Sequence, residues 1–315
     1  MHAFLEANMG DKPALQPRAA IGPAVRAIAA RILIRARGAL TDPEVTPQDA
    51  VHEFRRTMKQ WRALMRLLAP FIPDAPRWRT EARDHARSLS HARDGTAALS
   101  AFDDLVERGG LPLSARSIAT IRARLETFRA GEEKAVLTPE LRDHIVAWID
   151  VASAAIETWP LDPFYFSAIA ARLTAGYRAA RQHVPENWSE APPEELHELR
   201  RRVVDHRYQM ELIEPLWPRF GRMWTEEAER VRQRLGKCQD LAVLERLLGA
   251  HQPLAHWRSR LQPACAERQL ELVQRAGRIA RRLFVEKPKA FRHRLETLWD
   301  HRRLASRGSR TDSLK

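Results

Sequence analysis

The feature of this sequence that most constrains its fold is an internal repeat with a helical pattern. Residues 51–68 read VHEFRRTMKQWRALMRLL and residues 196–213 read LHELRRRVVDHRYQMELI, an offset of 145 residues. His52 matches His197, and apolar residues recur in the same phase in both copies. The repeat also pairs three arginines of one copy with three of the other: Arg55, Arg56 and Arg62 with Arg200, Arg201 and Arg207.

Two further matches follow the first in the same order. ARD ending at Asp94 matches CQD ending at Asp240 at an offset of 146, and LRDHIVAWID from Leu141 resembles FRHRLETLWD from Phe291 at an offset of 150. Matches that keep their order at a nearly constant offset indicate a duplicated unit. We therefore expect two similar halves that pack about a pseudo-two-fold axis.

Hydrophobic periodicity and composition both predict an all-α fold. Helical periodicity runs through most of the chain and is interrupted by clusters of proline and glycine. Only 13 glycines and 3 tyrosines occur among 315 residues, which disfavours closely spaced strands and turns. The last residues, 306–315, are expected to form a frayed, flexible tail.

The charge of the chain points to an anionic partner. The formal net charge is +13, and most of the 53 basic residues are arginines, whose planar guanidinium binds phosphate with two parallel hydrogen bonds. A polyanion is therefore the first hypothesis. The alternative is that arginine is merely common in a basic proteome, so the distribution of the charge has to decide.

Targeting and redox signals favour the cytoplasm. Cys238 and Cys265 are the only cysteines, too few for a disulfide framework or a four-cysteine zinc site. The first twelve residues lack a basic stretch followed by an apolar run, and charges and prolines interrupt the most apolar region, residues 145–171. We expect no signal peptide, no membrane span and no contact with a membrane.

One face of the first repeated helix is basic. On a helical wheel five side chains fall within about 80° of arc and extend along about 21 Å. None of them is acidic, so their mutual repulsion disfavours the helix unless an anion or opposed acids compensate. The alternative is a solvated helix face, although such faces normally interleave both signs. The five residues of this basic stripe are His52, Arg55, Lys59, Arg62 and Arg66.

The HxxR pattern, followed by K or R, then R, and then an Asp-bearing motif, occurs twice in this basic helical chain. It resembles the CHAD domain, the conserved histidine α-helical domain, from about Pro17 to about Leu304. GYRAARQ, at residues 176–182, is similar to the YRR-type segment of that family. The resemblance implies a single CHAD domain over 1–315, with two antiparallel four-helix bundles, 17–158 and 159–305, around a central basic groove or pore that binds polyphosphate.

Matching positions give the ligands that the resemblance implies, and the repeat and the stripe add Arg56 and Arg66. The resulting set of candidate polyphosphate ligands is His52, Arg55, Arg56, Lys59, Arg62, Arg66, Arg178, Arg181, His197, Arg200, Arg201 and Arg207.

The sequence departs from the family pattern at two positions of the second copy. Val204 stands where a basic residue is usual, and Gln239 stands where an asparagine is usual. These departures leave the strength of binding by the second half open. No segment has the strand pattern of the tunnel-type triphosphatase domain that some members carry, so a stand-alone domain is expected.

The predicted function is non-catalytic binding of inorganic polyphosphate, without cofactor or metal, in the cytoplasm and in association with polyphosphate granules. Signatures of common enzymes, such as HExxH, GxSxG, CxxC and GxGxxG, are absent from the sequence. Two alternatives stay open. Non-specific nucleic-acid binding would also use basic surfaces, with nucleic acid as a weaker competitor for the groove, and an enzyme acting on polyphosphate could use Asp94 and Asp240 to hold a metal.

Overall fold

The computed structural model describes residues 14–17, 19–89, 94–133, 137–162 and 164–311. Within these ranges the regular structure consists of eleven α-helices and two short 3-10 turns, with no strand, which confirms the all-α prediction. The helices are α1 Ile21–Thr41, α2 Pro47–Leu68, α3 Ala75–Ser88, α4 Asp94–Arg108, α5 Ala115–Glu133, α6 Pro139–Ile156, α7 Phe166–Gln182, α8 Pro193–Glu211, α9 Pro218–Leu247, α10 Arg258–Leu283 and α11 Pro288–Thr311.

Helix boundaries follow from local chemistry. α2 begins where Thr46 Oγ1 accepts a hydrogen bond from the backbone N–H of Asp49, at 3.2 Å, and α6 begins with a similar contact from Leu141 N to Thr138 Oγ1, at 3.3 Å. α2, α6, α8, α9 and α11 each have proline as their first residue, where its missing N–H costs no helical hydrogen bond. Proline therefore marks the start of these five helices.

The helix boundaries also repeat along the chain. α1, α2 and α6 begin 145, 146 and 149 residues before α7, α8 and α11 respectively. The copies differ at one place, because α3 and α4 of the first copy correspond in position to the single 30-residue helix α9 of the second. The duplication is thus visible in the order of helices as well as in the sequence.

Two hydrophobic clusters stabilise the helices. The larger one contains residues of α1 to α3 and of α6 to α11, and the smaller one lies between α4, α5, the end of α9 and α10. Each cluster draws on residues from both sides of position 158. Phe54, Met58, Trp61 and Met65 of α2 are fully buried in the larger cluster, as the periodicity predicts for its apolar face.

Three tryptophans pack in the hydrophobic core, and the last helix extends into the predicted tail. Trp61 and Trp299 are buried, and Trp148 packs against the core while its Nε1 donates to Glu81 Oε2 at 2.9 Å, so these rings belong to the core and not to a stacking surface. α11 continues to Thr311, into the predicted tail, whose last four residues lie outside the described ranges. None of the described helices combines the length and the apolar character needed to cross a membrane.

Replacement of Gly22 by alanine should destabilise the protein by about 3 kcal/mol, an overpacking effect. A Cβ at Gly22 would overlap the carbonyl oxygen of Leu161 and lie 2.7 Å from Asp162 Oδ1. Arg26 fixes the same segment, because its Nη2 donates to Trp159 O and to Asp162 Oδ2, both at 2.7 Å. The backbone therefore cannot move away without losing these hydrogen bonds. Urea denaturation measures the effect.

The control for this substitution is Gly131→Ala. Gly131 is also helical, but a Cβ there meets no atom within 4 Å. Because alanine has the higher helix propensity, Gly131→Ala should leave the free energy of unfolding unchanged or raise it by up to about 1 kcal/mol. Equal stability of Gly22→Ala and the parent protein would contradict the close packing of α1 on residues 159–162.

Candidate anion-binding site

The two histidine helices, α2 and α8, pack against each other in antiparallel orientation. Arg66 Nε lies 2.8 Å from Asp205 Oδ2, and Gln209 Nε2 donates to Ala63 O at 3.3 Å, so the chain numbers run in opposite directions along the contact. Ala63 lies on the same side of α2 as the basic stripe and is nevertheless buried. Part of the face that the sequence predicts as open is therefore covered by α8.

Six arginines surround this contact, and we call them the central arginine cluster. Burial lowers the pKa of Arg62 and of Arg66, and nearby arginines lower it further, while Asp205 opposes the effect. A lowered pKa means that the charged guanidinium is disfavoured where it lies, and a bound anion would reverse that. The cluster consists of Arg62 and Arg66 of α2, Arg79 and Arg83 of α3, and Arg201 and Arg202 of α8.

Several guanidinium donors at this contact lack an acceptor. Nε of Arg62, Arg66 and Arg172 is buried and has no hydrogen-bond partner among the described residues. Arg66 Nε is near Asp205 but does not point at it with hydrogen-bond geometry, so this pair is held by charge alone. Buried donors in proteins are almost always satisfied by protein, water or ligand. The acceptor for these three donors has to come from water or from a bound anion.

Asp205 is one of the opposed acids that could compensate the stripe. Its side chain is 16% exposed, and its pKa is raised by burial although Arg66, Arg62, Arg202 and Arg201 all lower it. One carboxylate thus faces four guanidinium groups. The remaining positive charge of the cluster is partly balanced at its edges, where Asp84 pairs with Arg83 at 2.9 Å.

Glu198 balances the other edge of the cluster. Its two carboxylate oxygens accept from Arg201 Nη1 at 2.9 Å and from Arg202 Nε at 2.7 Å. Arg201 stays 49% exposed in this pair and keeps donors available to solvent. An exposed ion pair of this kind is weak and exchanges readily for a stronger anion.

The first half of the stripe lies toward the start of α2. His52 is exposed, and Arg55 and Lys59 are half-buried. Arg55 Nη1 makes a long hydrogen bond, 3.4 Å, to the carbonyl of Leu89 at the end of α3. The stripe therefore runs from an exposed histidine into the central arginine cluster.

Two further predicted ligands, besides Arg66 and Arg201, have carboxylate partners. Arg56 donates from Nε and Nη2 to both oxygens of Glu53, at 2.7 and 2.8 Å, and this pairing raises its pKa. Arg207 lies 3.0 Å from Glu211 and 3.2 Å from Glu229. These acids compete with an external anion for the two arginines.

In the second copy His197 lies at the start of α8. Its Nδ1 contacts Nε2 of Gln239, the residue that departs from the family pattern. Burial, Arg200 and Arg201 together lower the pKa of His197. Arg200 packs over Gly236 of α9, where a Cβ would lie 3.4 Å from its Nη2. Gln239 thus orients the histidine from the neighbouring helix.

The arginines of α7 lie at different contacts of the fold. Arg178 is exposed, while Arg181 Nε donates to Phe284 O at 3.0 Å and Tyr177 OH donates to Glu286 O at 2.9 Å. Arg181 therefore holds the connection between α10 and α11, and the structure does not bring it to the α2–α8 contact. The α7 arginine that does reach this contact is Arg172, whose Nη2 lies 3.4 Å from Arg66 O.

The ligands predicted from the sequence do not include Arg79, Arg83, Arg172 or Arg202. Arg79 and Arg83 are spaced i,i+4 on α3 and thus share a helix face, a signal that was present in the sequence. Arg172 has alanine at the equivalent position of the first copy, Ala27 at an offset of 145, so the repeat gives no indication of it.

Asp94 and the cysteines make structural contacts. Asp94, the first residue of α4, accepts from Arg246 Nη2 at 2.9 Å through Oδ2. Cys238 and Cys265 are free thiols, and burial raises the pKa of each to about 12. Over the described part of the chain, no three His, Cys, Asp or Glu side chains are grouped so that they could hold a metal ion.

The fold and the sequence of this chain are both similar to those of known proteins. The crystal structure of the CHAD domain from the plant Ricinus communis resembles this fold with a TM-score of 0.55 at 18% identity, over 91% of this chain and 95% of that chain. A comparison with curated proteins gives no match. The family model of the CHAD domain matches residues 23–249, which include both histidine helices. This chain therefore belongs to the CHAD domain family.

Proposed function

We propose that this protein binds inorganic polyphosphate at the contact between α2 and α8. The observation that carries the proposal is the surplus of arginine at this contact. Nε donors of Arg62 and Arg66 are buried without a hydrogen-bond acceptor, and burial together with neighbouring arginines lowers the pKa of both groups. A multivalent anion would satisfy these donors and remove the mutual repulsion.

Polyphosphate fits the cluster better than a ligand with isolated charges. It carries about one negative charge per phosphate, and its oxygens suit the planar fork of arginine. Six arginines from three helices lie around one contact, so a chain of phosphates could be held from several sides. Polyphosphate has no bases to recognise, so charge density and shape would provide the selectivity.

The proposed site is a basic groove formed by both halves, in two bundles, 17–158 and 159–305, about a pseudo-two-fold axis. The recurring starts of α1, α2 and α6 as α7, α8 and α11 support this arrangement. Since α2 and α8 are antiparallel, their N-terminal histidines, His52 and His197, belong to opposite ends of the contact. The groove would have one histidine at each end and the central arginine cluster between them.

We propose a binding role without catalysis, in the cytoplasm and at polyphosphate granules. Asp94, one of the two aspartates considered for a metal-dependent reaction, is engaged by Arg246 through Oδ2. An aspartate held in this way acts as an anchor between α4 and α9. The groove would therefore hold polyphosphate without processing it.

Titration of the purified protein with long-chain polyphosphate tests the proposal. Because binding by arginine releases counterions, the affinity should fall more than about tenfold between about 50 and about 200 mM salt. Duplex DNA at an equal concentration of charge should displace little polyphosphate, because a stiff double helix cannot wrap around the cluster as a single flexible chain can. Displacement by DNA at equal charge would favour a general nucleic-acid or basic-surface protein, and the absence of binding would refute the proposal.

A further inference from the structure

We propose that Asp205 is a built-in competitor of the bound anion, which sets the affinity and the selectivity of the site. This inference rests on the proposed function. Asp205 occupies a position among the guanidinium groups that a phosphate oxygen would otherwise take, so an incoming anion has to share or displace it. An anion with few or widely spaced charges would fail to displace Asp205, whereas a polyanion with closely spaced charges would succeed.

The geometry places the carboxylate inside the site. Asp205 Oδ2 is 2.8 Å from Arg66 Nε across the α2–α8 contact, and the two side chains are only 16% and 24% exposed. The N–H of Arg66 Nε does not point at this oxygen with hydrogen-bond geometry. Arg66 Nε therefore has no acceptor among the described residues. The carboxylate neutralises charge here, but it does not satisfy the donor.

Arginines from four helices lie around the pair of Asp205 and Arg66. α2 contributes Arg62 and Arg66, and α8 itself contributes Arg201 and Arg202. α7 contributes Arg172, which reaches the carbonyl of Arg66. α3 adds Arg79 and Arg83, which act on Arg66 and Arg62 respectively. Against these seven arginines stand three carboxylates, those of Asp205, Glu198 and Asp84.

A bound anion and the ionised Asp205 repel each other in this partly buried place. Like charges a few ångströms apart interact strongly where water is scarce. Burial already raises the pKa of Asp205, and a neighbouring phosphate would raise it further. Binding should therefore be accompanied by proton uptake, and the affinity should fall as the pH rises and the carboxylate ionises.

Protonation of His197 acts in the same direction, so its effect has to be separated from that of Asp205. Arg200 and Arg201 add to the effect of burial in lowering the pKa of His197, and a bound anion would raise it. Protonation of the histidine would also strengthen binding at mildly acidic pH. The substitution Asp205→Asn leaves this contribution intact and removes only that of the carboxylate.

The test compares the parent protein with Asp205→Asn in titrations with long-chain polyphosphate at several pH values. At neutral pH Asp205→Asn should bind about tenfold more tightly, since one like charge near the ligand is removed and salt screens part of its effect. The difference should narrow as the pH falls, because the parent carboxylate becomes protonated. Asp205→Asn should also lose selectivity, with duplex DNA competing better than it does in the parent.

Glu198→Gln is the matched control. Glu198 lies on the same helix, pairs with Arg201 and Arg202 at 2.9 and 2.7 Å, and its substitution removes the same formal charge at a more exposed position. It should change the affinity less than Asp205→Asn does. An equal gain in both variants would show a general charge effect and overturn the role of Asp205.

The remaining outcomes separate the two proposals. If the parent binds polyphosphate and Asp205→Asn binds equally or more weakly while thermal unfolding shows it to be folded, the competitor role is wrong and the proposed function stands. If Asp205→Asn fails to fold, Asp205→Ser provides the same comparison. If neither the parent nor the variants bind polyphosphate, both proposals fall.

Discussion

Replacing both Arg62 and Arg201 with alanine is expected to weaken polyphosphate binding about 100-fold without loss of stability. Arg62 and Arg201 come from opposite sides of the α2–α8 contact and lie close enough that Arg201 lowers the pKa of Arg62. Each lost charge-assisted hydrogen bond corresponds to about 1.5 kcal/mol, and two of them give this change in affinity. Titration with long-chain polyphosphate at constant salt measures it.

The stability of this double variant distinguishes a ligand-binding role from a structural one. Because burial and neighbouring arginines disfavour the charged form of Arg62, its removal should leave the thermal midpoint unchanged or raise it. Arg116→Ala with Arg219→Ala removes the same charge at exposed positions of α5 and α9. Similar losses of affinity in both double variants would argue against a defined site, and unfolding of the first would argue for a structural role.

The second large effect concerns the stability of the protein in acid. His206 is buried, and its Nε2 accepts from Trp224 Nε1 at 2.8 Å, which requires an unprotonated nitrogen. Burial, with a contribution from Arg294, lowers the pKa of His206 from 6.5 to about 3. The unfolded chain therefore takes up this proton at a higher pH than the folded protein does. Stability should fall as the pH drops from 6.5 to about 3.

The expected size follows from the shift in pKa. The loss is about 1.4 kcal/mol per pH unit within this window, so about 2 kcal/mol at about pH 5 and up to about 5 kcal/mol in all. His206→Gln keeps an acceptor for Trp224 and does not titrate. Urea denaturation of both proteins between neutral pH and about pH 4 isolates the contribution of His206, because the carboxylates titrate in both. Parallel pH profiles of the two proteins would contradict the prediction.

The two copies of the repeat differ in how their arginines are balanced. Arg62 has no carboxylate within ion-pair distance among the described residues, whereas the equivalent Arg207 lies next to Glu211 and Glu229. The two acids reduce the field that an external anion would meet at Arg207. We therefore expect the second copy to bind more weakly, for a reason that is independent of Val204.

Local patterns in the sequence were sufficient for the helices and for the family. The 3.6-residue periodicity of α2 identifies Phe54, Met58, Trp61 and Met65 as its core face, and all four are buried. Periodicity reports which side chains share a face of one helix, and burial of an apolar face is the main driving force for packing. The HxxR motifs and their offset likewise identify the family, which the match over residues 23–249 confirms.

The contacts between helices were decided by the tertiary structure alone. The sequence by itself determined that α2 and α8 each carry a basic face, but not that Asp205 of one would reach Arg66 of the other at 2.8 Å. It also did not determine that Arg172 lies at this contact while Arg181 holds the carbonyl of Phe284. The reason is that a repeat or a helical wheel gives only the position of a side chain around the axis of its own helix. The partners of a charged side chain depend on how several helices cross and on which residues those crossings bury.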